Sequence, residues 1–343
     1  MDASEPLRPV ARAAHDVVGV DVGMPRGDLD RDILDVEQPP RGLEQPRQHA
    51  VEREVRAHEL RVDVVTLAAQ RAQQIEEVGD GDLGGIGVVL LQARVDVRPA
   101  LDRWLAWLLP RQRADGGFDR YCRADDRDWT ACRKADADDA TAATTLELLH
   151  RAMRGGLVSD RVKPELAAAV RGSEAMLARL KNPQTGIYQV FVDTPTYYLM
   201  DNVEVYTALV ASGRSKAADA LAQAIRQQFD QAGTWQPAWP RFDQPSFYPH
   251  ALARSFLWVP GLFTTPAEAG ADMASWMAQY GDRWRRRMDD HFAWGLVAWN
   301  LHQLAPIEAA CWRHSVRPYS SAIGWTVLDA GVDAALQHSG IGV

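Results

Sequence analysis

The chain has 343 residues, a hydrophobic fraction of 46% and a formal net charge of −8 at pH 7. These values are typical of a globular protein, and the negative charge argues against a general nucleic-acid-binding protein, which needs a basic face to neutralise phosphates. The apolar stretch at 84–92 is too short to span a bilayer, so we predict no membrane insertion, and no signal peptide is visible.

Residues 1–100 contain no aromatic residue, whereas all 12 Trp, 8 Tyr and 8 Phe lie in residues 101–343. A segment without large side chains contributes little to a core. Three interpretations stay open for it: a disordered extension, a small aromatic-free domain, or a misassigned start in a GC-rich gene, which 34 Arg against 4 Lys suggests. We favour disorder or a false start, place a boundary at residue 100 and assign no function to the first part.

From residue 101 onward, apolar residues recur at helical spacing. A helix at 101–109 stops at Pro110, which suits a helix end. Further helices are predicted at 140–153, 164–180, 201–211, 216–229, 247–258, 266–280, 288–304 and 321–337. The second part of the chain is therefore predicted to consist of paired helices.

Aromatic, glycine-containing linkers separate these helices: GGFDRYC at 116–122, TGIYQVFVD at 185–193 and GTWQPAWP at 233–240. Each precedes a helix that begins with polar or acidic residues. This pattern predicts a degenerate repeat of helical hairpins, which can stack as a solenoid or close into a ring. The many tryptophans favour closure around a cleft, so the predicted fold is an all-α toroid with short aromatic β linkers.

The stretch KADADDATAATTLELLHRAMR, residues 134–154, places three aspartates directly ahead of an apolar helix. A single aspartate suffices to cap a helix and complement its dipole. Asp136 or Asp138 fits such a cap, but both cannot occupy it. The excess of carboxylates therefore favours a functional role at the start of this helix.

Residues 101–154 resemble glycoside hydrolase family 8, the cellulase and chitosanase group with a six-hairpin (α/α)6 barrel. The Asp136-Ala137-Asp138 core and the later Ala142 match the family signature, whereas its small hydroxyl residue is missing and Thr141 replaces Ile or Met. The resemblance implies that Asp136 is the active-site aspartate and Asp138 the second aspartate of the signature. The family's upstream general-acid glutamate has no counterpart in residues 1–100, so either the first hairpin is missing or garbled through a wrong start, or the chain is not a working hydrolase.

Glycoside hydrolysis needs two carboxylates that flank the scissile bond, one protonated and one ionised. Neighbouring carboxylates raise the pKa of one of them, which provides an acid at neutral pH. A ring of helices whose acidic starts share one hollow predicts four catalytic residues: Asp136, Asp138, Asp201 and Glu204. Aromatic and polar side chains in the linkers and helix starts are predicted to bind the sugar: Trp129, Tyr188, Tyr198, Trp235, Trp239, Tyr248, His250 and Asp290.

Several of these residues also have structural interpretations. Asp201 and Glu204 have the spacing of a capping box. Asp289 and Asp290 follow a basic run, RWRRR at 283–287, and can offset its charge or cap the next helix. His250 is more typical of a packing or hydrogen-bonding histidine than of a catalyst.

Three cysteines lack the paired spacing of a zinc site, and we predict neither a metal nor a cofactor. Cys122 and Cys132 have the option of pairing under oxidising conditions, but free thiols are expected.

The sequence thus predicts a carbohydrate-active enzyme that hydrolyses glycosidic bonds of a poly- or oligosaccharide, with net inversion if the resemblance holds. A truncated or inactive sugar-binding toroid is the alternative, and an isoprenoid-type α/α toroid is a third interpretation, since GGF at 116–118 resembles the turns of those repeats. The family likeness implies a secreted or periplasmic location.

Overall fold

The computed structural model describes residues 77–78, 80–122, 128–240, 246–320, 322 and 324–342. This part of the chain is helix-rich, and the predicted all-α class is confirmed. Its eleven α-helices are α1 Asp80–Gln92, α2 Arg98–Leu108, α3 Asp138–Arg154, α4 Lys163–Leu180, α5 Leu199–Ala211, α6 Ser215–Phe229, α7 Leu252–Ser255, α8 Pro266–Arg285, α9 Gly295–Leu301, α10 Pro306–Val316 and α11 Val327–His338.

The described residues include seven short antiparallel strands, three of which lie within the predicted linkers at 116–122 and 233–240. The seven strands are β1 Glu77–Val78, β2 Asp119–Cys122, β3 Thr130–Lys134, β4 Tyr197–Tyr198, β5 Asp230–Gln231, β6 Thr234–Trp235 and β7 Ala238–Trp239. The first three form one sheet in the order β1-β2-β3, β4 pairs with β7, and β5 pairs with β6. The linker at 185–193 forms only isolated bridges, one of them between Lys181 and Tyr188.

Most predicted helices have bounds within a few residues of the observed ones. The largest differences lie at 247–258 and 288–304, and α10, Pro306–Val316, was not predicted. The first consists of a π-helical turn Phe247–Ala251, the short α7, and a 3-10 turn Phe256–Trp258. In the second, α9 begins only at Gly295, because Trp294 before it has a left-handed backbone with φ 48°.

Helix α1 lies inside the aromatic-free segment, where no helix was predicted. It packs against α3 and α11. Its glycines allow this close approach, because an added Cβ would lie 3.0 Å from Thr144 at Gly84 and 2.8 Å from Leu148 at Gly87. The helix therefore contributes to the core with small side chains. The interpretation of residues 1–76 as disordered or mis-started lies outside the described residues.

The odd-numbered helices contact one another in succession. α1 contacts α3, α3 contacts α5, α5 contacts α7, α7 contacts α9, α9 contacts α11, and α11 contacts α1. Even-numbered helices pack beside them, α4 on α3, α6 on α5 and α10 on α9. Fully buried side chains fill this arrangement, among them Trp276, Trp284, Trp312 and Phe229.

Cys122 and Cys132 form a disulfide that joins β2 to β3. The expectation that they are free thiols is therefore wrong. Sequence spacing could not reveal the pairing, because it is the antiparallel register of the two strands that brings the two sulfurs together. Cys311 is an exposed free thiol on α10.

Candidate functional site

Two buried aspartates meet where α3 and α5 begin. Asp139 is the second residue of α3 and Asp201 the third residue of α5, and the two helices pack directly against each other. The two carboxyl groups lie close enough for each to shift the pKa of the other. Asp139 is fully buried and Asp201 is 8% exposed.

Burial raises the pKa of Asp201 to about 6. Burial also raises the pKa of Asp139 well above its usual range, and the charges of Asp201 and Glu204 raise it further. Asp139 Oδ1 accepts a hydrogen bond from the backbone N–H of Ala140 at 2.9 Å. Apart from the contact between the two acids, Oδ2 of each has no hydrogen-bond donor among the described groups. The pair therefore binds a proton more tightly than isolated carboxylates do.

Asn202 fixes the linker at 185–193 to the start of α5. Its buried side chain accepts a hydrogen bond from the backbone N–H of Tyr188 at 2.7 Å and donates to the carbonyls of Tyr188 and Tyr198, both at 2.9 Å. The N–H of Asp138 donates to Val190 O at 2.9 Å. The linker thus connects the starts of α3 and α5, which explains why short aromatic segments precede these helices.

Asp138 is engaged in an ion pair. Its Oδ1 accepts a hydrogen bond from Arg113 at 2.8 Å, and the same guanidinium also binds Asp115 and Asp119. Burial raises the pKa of Asp138, and the Arg113 charge opposes that rise. The ion pair therefore gives Asp138 a structural role in joining the turn at 113–119 to α3.

Asp136 lies at the surface. Its side chain is 75% exposed and pairs with Arg120. Among the described residues, those that shift the pKa values of Asp139 and Asp201 do not include Asp136. The structure thus brings Asp201 and Glu204 together with Asp139, whereas Asp136 and Asp138 engage arginines.

Asp139 is the residue that the sequence analysis missed. A signal was present, because Asp139 lies three, four and seven residues before Ala142, Ala143 and Leu146, which is the spacing of one helix face. All of these residues are buried. The family resemblance directed attention to Asp136 and Asp138 instead.

The capping interpretations are wrong for both helices. The N-cap residues are Ala137 for α3 and Tyr198 for α5, and neither makes a side-chain capping bond within the described part of the chain. Asp201 therefore lies inside the first turn of α5. Its carboxylate faces Asp139, which supports the interpretation of Asp201 as a site residue over that of a capping residue.

A second candidate region is a cleft of about 560 Å³. It is lined by Ser246, Phe247, Tyr248, Gln279, Tyr280, Arg283, Asp289 and Asp290. Asp289 pairs with Arg283, as the charge-offset interpretation anticipates. Asp290 accepts hydrogen bonds from the indole N–H of Trp294 at 2.9 and 3.0 Å and from the N–H of Phe292 at 3.1 Å. Both carboxylates of the cleft are thus engaged within the protein.

The predicted stacking residues differ in exposure. Tyr248 is 50% exposed and Trp239 is 40% exposed, the latter beside Tyr197 at a centroid distance of 5.2 Å. Tyr188 is buried, and burial raises the pKa of its hydroxyl. Tyr198 is partly buried in β4. Tyr248 and Trp239 thus offer the largest surfaces of these four to a ligand.

Three further predicted ligand residues are partly buried. Trp129 meets Trp107 edge-on at 6.5 Å, and Trp235 meets Phe263 edge-on at 6.1 Å. His250 lies in the π-helical turn that precedes α7. The contacts of the two tryptophans are those of packing residues.

Comparison with protein-family models, curated proteins and solved structures finds no significant match. None of the helices in the described ranges is long and apolar enough to cross a bilayer. Within the same ranges, no three His, Cys, Asp or Glu side chains are grouped as ligands for a metal ion. The site must therefore be interpreted from its own chemistry.

Proposed function

We propose that the helices form a six-hairpin toroid with the odd-numbered helices as the inner ring. The succession of contacts from α1 through α11 and back to α1 supports this arrangement. The starts of α3 and α5 would then open toward the same end of the ring, since both carry an acidic first turn and pack side by side. Helix α1 supplies the inner member of a first hairpin.

We further propose that the protein hydrolyses glycosidic bonds of a poly- or oligosaccharide by carboxylate acid/base catalysis. The Asp139–Asp201 pair carries this proposal. A glycosidase needs a carboxyl group that stays protonated near neutral pH, and burial beside a second carboxylate is a known physical route to it. Asp201, with a pKa of about 6 and a small exposed fraction, is the proposed proton donor.

Asp139 is assigned a positioning role. It is fully buried beside Asp201, and each of the two carboxyl groups shifts the pKa of the other. The catalytic carboxylates of inverting enzymes lie about 6.5–9.5 Å apart, which is farther than two neighbouring carboxyl groups of such a pair. The ionised partner must therefore be another residue. Glu204, partly exposed and one turn further along α5, and Asp136, the choice implied by the family resemblance, are the two candidates.

Reducing-sugar release from β-glucan, chitosan and uronic-acid oligomers tests the proposal. Asp201→Asn should lower turnover by at least about 100-fold, which is typical of general-acid removal. Asp136→Asn and Glu204→Gln, assayed in parallel, identify the second carboxylate. Asp160→Asn serves as the control, because Asp160 is exposed in the turn before α4. Wild-type turnover in Asp201→Asn would remove the acid assignment.

The full burial of Asp139 favours a second candidate, a sugar-binding toroid without catalysis. A proton-sharing pair inside a core can simply join two helices. Glycan binding with no release of reducing ends from any of the three polymers would support this alternative over hydrolysis.

A further inference from the structure

Tyr248 and Trp294 form a stacked pair at the edge of the cleft. Their ring centroids are 5.4 Å apart and their planes differ by 6°. Although Trp294 covers one side of it, Tyr248 is 50% exposed. Phe292 lies 5.5 Å from Trp294 and is 41% exposed. We call these three residues the aromatic platform.

Neighbouring residues fix the position of Trp294 in the platform. Both carboxylate oxygens of Asp290 accept the indole N–H of Trp294, at 2.9 and 3.0 Å. The left-handed backbone of Trp294 turns the chain into α9, and Phe247 packs against its ring at 6.3 Å. Trp294 is therefore fixed by its backbone, its N–H group and its ring contacts. A preordered aromatic surface loses little conformational entropy when it binds a ligand.

The cleft beside the platform offers hydrogen-bonding groups but little net charge. Ser246, Gln279 and Tyr280 line it. Arg283 pairs with Asp289, which leaves Asp290 as the uncompensated charge among the described residues of the lining. A cleft of about 560 Å³ falls within the usual range for small-ligand sites.

We propose that the platform and its cleft bind an uncharged sugar ring of a glycan, with the ring stacked on the exposed part of Tyr248. This inference rests on the proposed function for the class of ligand and adds the site and the charge of the sugar. A pyranose with equatorial substituents has an apolar face of C–H groups that packs on an aromatic ring, while its hydroxyls bond to polar neighbours. Asp290 acts as a positioning residue, since its oxygens hold Trp294.

The engaged charges of the described lining favour a neutral sugar over the two charged classes. A uronic-acid ring would meet the negative charge of Asp290, and Arg283 is already paired. A protonated amino sugar would compete with Arg283 for Asp289 and with the Trp294 indole for Asp290. A neutral sugar ring meets neither the repulsion by Asp290 nor the competition for the two carboxylates.

Calorimetric titration of the full chain with cellotetraose, a glucosamine tetramer and a galacturonic acid tetramer tests the assignment. The Asp201→Asn variant is titrated alongside the wild type to separate binding from turnover. Of the three tetramers, we expect cellotetraose to bind the wild type most tightly. Tyr248→Ala should bind cellotetraose about tenfold more weakly than the wild type, whereas Tyr248→Phe, which keeps the ring, should bind it equally well. Tyr319→Ala is the matched control, because Tyr319 is an exposed tyrosine outside the cleft lining.

Two results would overturn the assignment: equal cellotetraose affinity in Tyr248→Ala and wild type, or stronger binding of either charged tetramer. Absence of cellotetraose binding to the wild type would do the same. Other results would contradict the proposed hydrolysis but not the sugar site. These are the absence of reducing-end release, or normal turnover by Asp201→Asn, combined with cellotetraose binding that still depends on the Tyr248 ring. Thermal melts of each variant verify that the fold is retained.

Discussion

Arg113 donates a hydrogen bond at 2.8 Å to Asp138, the residue that immediately precedes the buried Asp139. The guanidinium is largely buried, with 19% of the side chain exposed, and Asp138 is 8% exposed at its side chain. The ion pair therefore fixes the first turn of α3 from outside, while Asp139 faces α5.

Arg113→Met should destabilise the protein by about 3 kcal/mol, because it leaves the Asp138 carboxylate buried without its partner. Urea denaturation measures the change. Arg179→Met is the control, since Arg179 is about half exposed, lies 4.0 Å from the Asp115 carboxylate and makes only a 3.4 Å hydrogen bond to the Asp115 carbonyl. Equal stability of the two variants would show that the Arg113 ion pair contributes nothing to α3.

Stability should fall as the pH rises through the range set by Asp201. The folded-state pKa of about 6 lies above the ordinary value of 3.8, so the folded state binds the proton more tightly than the unfolded state. The free energy of unfolding therefore decreases between about pH 4 and pH 6, and the raised pKa of Asp139 extends the decrease upward.

Asp201→Asn should remove this pH dependence in part. At pH 8 we expect the variant to be more stable than the wild type by up to about 3 kcal/mol, the equivalent of a shift from 3.8 to about 6. At pH 4 the two should be nearly equal. Thermal or urea unfolding at both pH values measures the difference, and a variant that loses stability at pH 8 would contradict a protonated pair.

Asn202→Leu should cost about 2–4 kcal/mol, because its buried amide makes two hydrogen bonds to Tyr188 in the linker at 185–193 and a third to the carbonyl of Tyr198. Gln189→Ala is the control on the same linker, since Gln189 makes one exposed bond to Val192 O. If hydrolysis is confirmed, the Asn202 variant should also lose activity, whereas the control keeps it.

Gly87→Ala should destabilise by about 1–3 kcal/mol, because the new methyl would lie 2.8 Å from Leu148. Gly270→Ala is the matched control within α8. No atom lies within 4 Å of the methyl it would add, so alanine should stabilise that helix by about 0.5–1 kcal/mol. Denaturation curves of the two variants should therefore shift in opposite directions.

Helical periodicity predicted most of the fold, since α3, α4, α5 and α6 all begin within about two residues of their predicted starts. Periodicity failed for α1 because this short glycine-rich helix is packed against both α3 and α11, so that no polar face marks it. It also failed before α9, where the backbone turn at Trp294 delays the helix.

The candidate site was only partly predictable. Asp201 and Glu204 could be selected from their position at a helix start, but the choice between Asp138 and Asp139 depends on helix rotation. One residue along a helix turns a side chain by about 100°. Asp138 therefore reaches Arg113 and Asp139 faces α5. Asp136 lies before the N-cap Ala137 and pairs with Arg120, and only tertiary packing distinguishes the three aspartates.

Helix α1 also affects how the chain can fold. Ile86 in α1 packs so tightly against Gly331 in α11 that an added Cβ on that glycine would lie 2.9 Å from it. A contact between residues so distant along the chain forms only after the C-terminal helix has been synthesised, and long-range contacts of this kind slow folding. A chain shortened to begin at residue 101 would leave α3 and α11 without their shared neighbour.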